Sequence, residues 1–297
     1  MRILHVDTGR EMRGGQYQAL YLIGGLVEAG HACTLLVPAG SGLWRMASSE
    51  GVDVRPLTLR SLWKLGRLVD IVHTHTGRGH ALAVVSGAPR LVVSRRVAFP
   101  VRRGWLSRRK YSRAAHYIAV SEYVKKMLLD ADVAEEKVSV VYDGVPLLAP
   151  ARLGVRVVAP ATDDPRKGSA LLRAAARRAG VEVHFSGDLV PDLAEAGLFV
   201  YITYEEGLGS AVLLAMAAAV PVVASRVGGL PEVIEHGVTG WLTGNSTEVI
   251  AAAIRSLIAD REAAAALGRA GRRQVQERFT VEQMVEATLR VYGRVAA

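Results

Sequence analysis

The sequence predicts an α/β protein built from two Rossmann-like domains, each a parallel sheet wrapped by helices. Three observations predict it. Apolar runs of strand length alternate with segments of helical period, the pattern of parallel strands joined by crossover helices. The alternation stops and restarts once, after Pro150. Between the halves lies DGVPLLAPARL, residues 143–153, with the proline and glycine content of a connector. A chain of 297 residues, half of them hydrophobic, is long enough for two such domains with ample core.

In the first half, residues 3–6, 33–37, 71–74, 91–94, 117–120 and 138–142 read as buried strands. Segments 17–29 and 122–129 have helical period. In the second half, residues 156–159, 182–186, 198–202 and 221–224 read as strands, and 247–297 as strongly helical, rich in Ala, Glu and Arg. No run of about 18 apolar residues occurs, so no membrane span is expected. Met1 leads straight into an apolar strand-like run, so no signal peptide is expected. The lone cysteine, Cys33, reads as a small buried hydrophobe in a reduced compartment.

The net charge of +9 is uneven. Residues 1–150 carry 21 Lys and Arg against 12 Asp and Glu, whereas the rest carry 16 of each. Within 90–126 there are 11 basic residues and one acid, Glu122, which implies an anionic partner. Arg102, Arg103, Trp105, Arg108, Arg109 and Lys110 follow Phe99 in a mixed basic and apolar segment. That composition suits an anionic membrane surface; a solvated basic helix is the alternative. No nucleic-acid-binding module accompanies the charge.

The most informative stretch is YEEGLGSAVLLAMAAAVPVVASRVGGLPEVI, residues 204–234. Glu206 leads into Gly207 and Gly209; a small apolar helix, a proline-led strand and the pair Gly228 and Gly229 follow. Glycine turns at helix starts present unpaired N–H groups to a phosphate, although a purely structural turn has the same letters. The stretch resembles the donor-site signature of the retaining GT-B glycosyltransferases of the family 4 type, the glycosyl transferases group 1. That signature reads E-G-F/L-G, a helix with a second Glu, A-M-A, P-V-V-A and G-G-x-P-E. Glu206 to Gly209, Ala215 to Ala217, Pro221 and Gly228 to Glu232 match; Leu214 holds the second Glu position. Segment 117–145 is similar to the family's I-A-V-S, helix and hinge, with Asp143 in place of Asn. Segment 277–292 resembles its last helix.

The resemblance implies a GT-B fold of two Rossmann-like domains facing across a cleft. The N-terminal acceptor domain would span 1–148 and a shortened nucleotide-sugar domain 149–280, with 281–297 returning to the first. It implies that Glu206 meets a donor hydroxyl, while N–H groups of Gly207, Leu208, Gly209, Ser210, Ala211 and Val212 hold the diphosphate. Lys167, in TDDPRKG, matches the Lys of the family's G-R-x-x-P-x-K-G clamp. The clamp Arg is Thr162, for which Arg166 is a substitute candidate; a loop lysine is the plain alternative. Gly14 and Gly15 match the G-G loop near the donor phosphates, or form an ordinary turn. His73 and His75 lie on one side of an extended segment. They match the family's H-x-H, giving His75 a catalytic role and His73, with Arg95 and Arg96, an acceptor role. Zinc on the two histidines lacks further ligands, and Asp130 and Asp132 are given no metal role. Loss of the charged acceptor at Leu214 would cost about 1.5–3 kcal/mol of donor binding.

The expected activity is retaining, metal-independent transfer from a UDP-, GDP- or ADP-sugar to the hydroxyl of a lipid-linked or cell-envelope glycan. The expected place is the cytoplasm, at the inner face of the membrane. The alternative is a non-catalytic relative that binds a glycan or a partner. Sugar-nucleotide epimerisation ranks lower, because the motifs supply few acid/base groups.

Overall fold

The structure, a computed structural model, describes residues 1–101 and 104–297. The chain forms two compact units: Met1–Gly144 with Val281–Ala297, and Val145–Thr280.

The first unit has seven strands: β1 (Arg2–Val6), β2 (Ala32–Val37), β3 (Asp53–Pro56), β4 (Ile71–Thr74), β5 (Leu91–Arg95), β6 (His116–Ala119) and β7 (Val138–Val140). They pair in parallel in the order β3-β2-β1-β4-β5-β6-β7. The crossovers carry α1 (Gly14–Glu28), α2 (Gly42–Ser49), α3 (Leu59–Gly66), α4 (Gly77–Val85), α5 (Trp105–Ser112) and α6 (Glu122–Leu129). Ser41, Thr58, Thr76 and Ser121 start α2, α3, α4 and α6 by accepting a first-turn N–H.

The second unit has β8 (Arg156–Pro160), β9 (Val183–Ser186), β10 (Ala196–Tyr201), β11 (Val222–Ser225) and β12 (Trp241–Thr243), parallel in the order β12-β11-β10-β8-β9. Its helices are α7 (Ser169–Ala179), α8 (Leu189–Leu193), α9 (Ser210–Ala217), α10 (Leu230–Val233), α11 (Thr247–Ala259) and α12 (Arg261–Arg278). The chain then returns to the first unit as α13 (Val281–Ala296).

Each core forms where a sheet face meets its helices. In the first unit Ile3, Ile71, Val92 and Ile118 pack with Leu22, Ile23 and Leu26 of α1 and with Val285 and Tyr292 of α13. Burial of each such aliphatic side chain contributes about 1.5–3 kcal/mol. In the second, Val157, Leu198, Val200 and Val223 pack with Leu172 of α7 and Ile250, Ile254 and Leu257 of α11.

Three features depart from expectation. The edge strands β3 and β12 were not foreseen, because DVRP is polar and mostly exposed and β12 has three residues. The helical tail breaks at Asp260, whose carboxylate caps α12 by accepting from Ala263 N–H at 2.9 Å. It breaks again at Phe279, whose carbonyl accepts from Val145 N–H, so the last helix starts at Val281 and Glu277 lies in α12. No helix among the described residues is long and apolar enough to cross a membrane.

Strand order reverses between β1 and β4 in one sheet and between β8 and β10 in the other. At such switch points adjacent crossovers run to opposite sides, leaving a crevice at the carboxyl ends of the strands.

Candidate functional site

At the β8/β10 switch point, Lys167 and Glu206 meet. Lys167 ends a 3-10 turn after β8, and Glu206 lies in the loop after β10. The Lys167 ammonium donates to Glu206 Oε2 at 2.7 Å and to Tyr201 Oη at 3.0 Å. The Tyr201 hydroxyl donates to the same carboxylate oxygen. Gly207 N–H donates to Glu206 Oε1 at 2.9 Å. Burial first, and the Glu206 charge second, push the Tyr201 phenol well above its ordinary range, so it stays a donor.

The two loops are tied together. The Arg166 carbonyl accepts from Tyr204 N–H at 2.8 Å and Thr203 Oγ1 at 3.2 Å. Gly168 sits at φ +60°, where a Cβ would lie 2.9 Å from the Ile202 carbonyl oxygen. Only glycine permits that approach in that conformation.

Next to the pair, α9 begins. Among the described residues the N–H groups of Leu208, Gly209, Ser210 and Ala211 have no hydrogen-bond acceptor. With the positive end of the helix, they offer an anion site beside an ammonium. Two expected donors are spent: Gly207 on Glu206, and Val212 on the Gly209 carbonyl at 2.9 Å. Leu208 is buried. Leu214 is half-buried, one turn beyond Ser210 and Ala211.

The Gly229 N–H is not free for a ligand. Gly229 N–H donates to the Glu206 carbonyl at 3.1 Å, and a Cβ on Gly228 would stand 1.9 Å from that same oxygen. The second glycine pair exists so that one backbone can pack on another. The second clamp cation does not join Lys167 in the pair. Thr162 Oγ1 accepts from Asp164 N–H at 3.2 Å, and the exposed Arg166 guanidinium folds onto Asp164 at 2.6 Å. Those Arg166 hydrogen bonds pull the Asp164 carboxyl down to about 2.

The β1/β4 switch point holds a buried polar chamber. Parallel register sets His5 of β1 beside His73 of β4, and His75 follows on the same side. All three rings are buried. His73 Nδ1 is 2.6 Å from Tyr292 Oη of α13, and its Nε2 is 2.7 Å from Ser94 Oγ. His75 Nε2 lies 3.0 Å from His5 Nδ1, and Arg96 Nη1 lies 3.3 Å from His75 Nδ1.

Ligand-capable atoms of the three rings fall within 4.8 Å of one another. Arg96 sets the tautomers of His75 and His5. A guanidinium only donates, so His75 Nδ1 accepts and its Nε2 carries the proton. That N–H then donates to His5 Nδ1, which puts the His5 proton on Nε2, where it has no partner among the described residues. His75 and His5 are thus hydrogen-bonded to each other, while His73 is held by Tyr292 and Ser94. Burial first, then the neighbouring rings and Arg96, hold His73 and His75 well below the usual range, and His5 falls to about 3 through burial and Arg96.

Arg96 is itself held by Asp143, Nε to Oδ1 at 2.9 Å, with 12% and 8% of the two side chains exposed. Two departures from the family pattern are thus each other's partners. Neutralised by Asp143, Arg96 orients His75 and does not act as a bare cation. Arg95 points to the opposite face of β5, as alternation requires, and binds Tyr111 Oη at 3.0 Å and the Phe99 carbonyl. It therefore does not join Arg96. Gly14 and Gly15 are the first two residues of α1, and Gln16 and Tyr17 N–H both donate to Arg13 O. Gln16 also reaches the buried Asp7 at 3.1 Å.

Of the basic segment, Arg102 and Arg103 lie outside the described residues. Trp105 is 72% exposed and Leu106 65%, with Arg109 exposed beside them. Arg108 pairs with Asp132 at 3.1 Å. Lys110 turns inward, its ammonium 2.8 Å from the Gly77 carbonyl, and burial lowers its pKa. It is partly buried and not fully free toward solvent. His5, Asp7 and Tyr201 escaped the sequence reading; only their polarity within apolar strands marked them.

Two family models match the chain: Glycosyltransferase Family 4 over residues 12–147 and Glycosyl transferases group 1 over residues 129–260. The alpha-maltose-1-phosphate synthase of Mycolicibacterium smegmatis is 43% identical over 112 residues, 35% of this chain and 29% of that protein. The N-acetyl-alpha-D-glucosaminyl L-malate synthase of Bacillus anthracis is 39% identical over 102 residues, 34% of this chain and 26% of that protein. These alignments thus span under a third of either relative. Anabaena HepE in complex with UDP and glucose superposes with TM-score 0.87 at 17% identity, over 99% of this chain and 100% of that one. Sucrose-phosphate synthase from Thermosynechococcus elongatus does so with TM-score 0.79 at 18% identity, over 99% and 98%. The fold is that of GT-B glycosyltransferases.

Proposed function

The chain belongs to the family 4 glycosyltransferases, and on that premise we propose that it moves a sugar from a nucleotide-sugar to an acceptor hydroxyl with retention at the anomeric carbon. The observation that carries this reading is the Lys167–Glu206 pair beside the unpaired N–H groups of α9, at a switch point.

A donor diphosphate fits that arrangement. The Lys167 ammonium and the N–H groups of Leu208 to Ala211 meet its oxygens, and Glu206 accepts from a sugar hydroxyl. As the anomeric carbon–phosphate oxygen bond breaks, charge grows on the departing diphosphate. Preset dipoles and one cation stabilise it there, usually the largest single contribution to such catalysis. The acceptor oxygen bonds to the anomeric carbon from the same face, and its proton passes to the departing phosphate. No side chain in this scheme forms a covalent bond, and no metal enters it. His75 is a neutral, oriented ring whose role here is to hold the acceptor side in shape.

Thermal shift with UDP, GDP and ADP tests the reading. A nucleotide at a hundredfold excess over its Kd stabilises the native state by about 2.7 kcal/mol. No shift with any of the three would overturn the donor assignment.

A non-catalytic binder is the second reading, favoured by Leu214 on the outer side of α9 and by Arg166 folded onto Asp164. Sugar-nucleotide hydrolysis separates the two, since a binder shows the thermal shift and no turnover.

We further propose a lipid-linked or cell-envelope glycan acceptor at the inner face of the cytoplasmic membrane. Exposed Trp105 and Leu106 amid basic residues support it. Vesicles containing anionic lipid should float with the wild-type protein at low salt and lose it with Trp105→Ala/Arg109→Ala. Flotation of neither protein would reject this part.

A further inference from the structure

We propose, on the donor-site reading above, that Tyr201 is a positioning residue: its hydroxyl keeps the Glu206 carboxylate in place while the Lys167 ammonium is drawn onto the donor diphosphate.

Tyr201 ends β10, a strand whose other late residues, Leu198, Phe199 and Val200, are plain core. Its ring stacks on Phe199 at 6.3 Å and is 7% exposed. A phenylalanine would fill that space equally well. The hydroxyl instead stands between the two charged groups of the site. It accepts from Lys167 Nζ at 3.0 Å and donates to Glu206 Oε2. A buried phenol needs a partner, and here both of its capacities go to site residues.

Lys167 cannot serve two anions equally. Its ammonium now lies 2.7 Å from the Glu206 carboxylate, a single charge. A diphosphate brings more than one charge and several acceptor oxygens, and it competes for the same ammonium. Once Lys167 turns toward it, Glu206 stands near a second anion and loses its cation. Two neutral donors then remain on the carboxylate: Tyr201 Oη on Oε2 and Gly207 N–H on Oε1. Neither is drawn off by the phosphate as a flexible ammonium is. The phenol is packed into the sheet and the amide is fixed in the loop. Burial and the adjacent carboxylate keep the phenol protonated, so it remains a donor across the working pH range. Without it, one carboxylate oxygen has nothing to hold it, and Glu206 follows Lys167 or swings to solvent. The sugar hydroxyl then loses its acceptor, although the diphosphate keeps its own ligands.

Tyr201→Phe separates this role from packing. The probes are UDP, GDP and ADP against UDP-glucose, GDP-mannose and ADP-glucose, with calorimetric affinities and sugar-nucleotide turnover. For whichever base the wild type binds, the variant should hold the nucleoside diphosphate within about twofold and the nucleotide-sugar about tenfold more weakly, with turnover about tenfold lower. An unchanged ratio between the two affinities overturns the proposal, as does an equal weakening of both. Wild-type protein that binds none of the six probes overturns the donor-site reading and this role with it. Binding by the wild type with an unchanged ratio in the variant overturns Tyr201 alone. A double-mutant cycle guards against poor folding of the single variant. Glu206→Gln with Tyr201→Phe should lose no more turnover than Glu206→Gln; additive losses reject the coupling.

Discussion

The two switch points hold polar groups in opposite ways. At β8/β10, Lys167 and Glu206 remain within reach of solvent, with 31% and 13% of their side chains exposed, beside N–H groups that have no acceptor among the described residues. At β1/β4, His5, His73 and His75 are dry and neutral, and their nitrogens are satisfied by other fixed groups apart from His5 Nε2. A partly wet ion pair exchanges a partner for a ligand at modest cost. A dry network cannot release one member without stranding another, because an unpaired buried polar group costs several times what an exposed one does. The contrast teaches that the first arrangement is suited to bind and the second to hold shape.

The widest gap between the two should appear with pH. The folded-state pKa values of His5, His73 and His75 lie below the ordinary 6.5, so the unfolded chain binds protons that the native state refuses. Their stabilising contribution is complete above pH 6.5 and is lost as pH falls from there toward about 3, the His5 value. Each histidine contributes a slope of up to about 1.4 kcal/mol per pH unit. Urea unfolding should therefore give several kcal/mol less stability at pH 5 than at pH 7.5. A flat profile across that interval would show the chamber to be wet.

Asp143→Ala should come next. It leaves the Arg96 guanidinium buried without its carboxylate, at a cost of about 3–5 kcal/mol, whereas Arg96→Met/Asp143→Leu should recover most of the loss. A double variant as unstable as the single one contradicts the pairing.

Lys167→Ala should behave in reverse. Turnover should fall at least about tenfold, roughly 1.4 kcal/mol of transition-state stabilisation, while the urea midpoint stays near that of the wild type. Glu206→Ala should do the same. Intact turnover in both variants rejects the site; a large loss of stability in either makes this pair structural, like the histidines.

Much of this was legible before any coordinates. Helical and strand periods record which residues face a core, so ten of the strands, the connector after Asp143 and the helical tail followed from local pattern. Glu206, Lys167 and the glycine turn before α9 were marked by the family resemblance, and the structure brings the Lys167 ammonium onto the Glu206 carboxylate. Edge strands were not, since β3 buries too little to need an apolar run. Nor were partners. His5 meets His73 through parallel register across 68 positions, and Asp143 meets Arg96 across 47. Gly229 spends its amide on the Glu206 carbonyl, against which Gly228 is packed. Lys110 turns inward because the Gly77 carbonyl lies within its reach.

By itself the sequence determined the class of fold, the order of its elements and the residues able to face an anion, because each depends on neighbours only a few positions away. The tertiary structure alone decided which of those groups are already paired, which histidine nitrogen carries the proton and which tyrosine stands between Lys167 and Glu206. Those outcomes depend on strand order and register, which bring distant residues within hydrogen-bonding distance, and no local pattern encodes that distance.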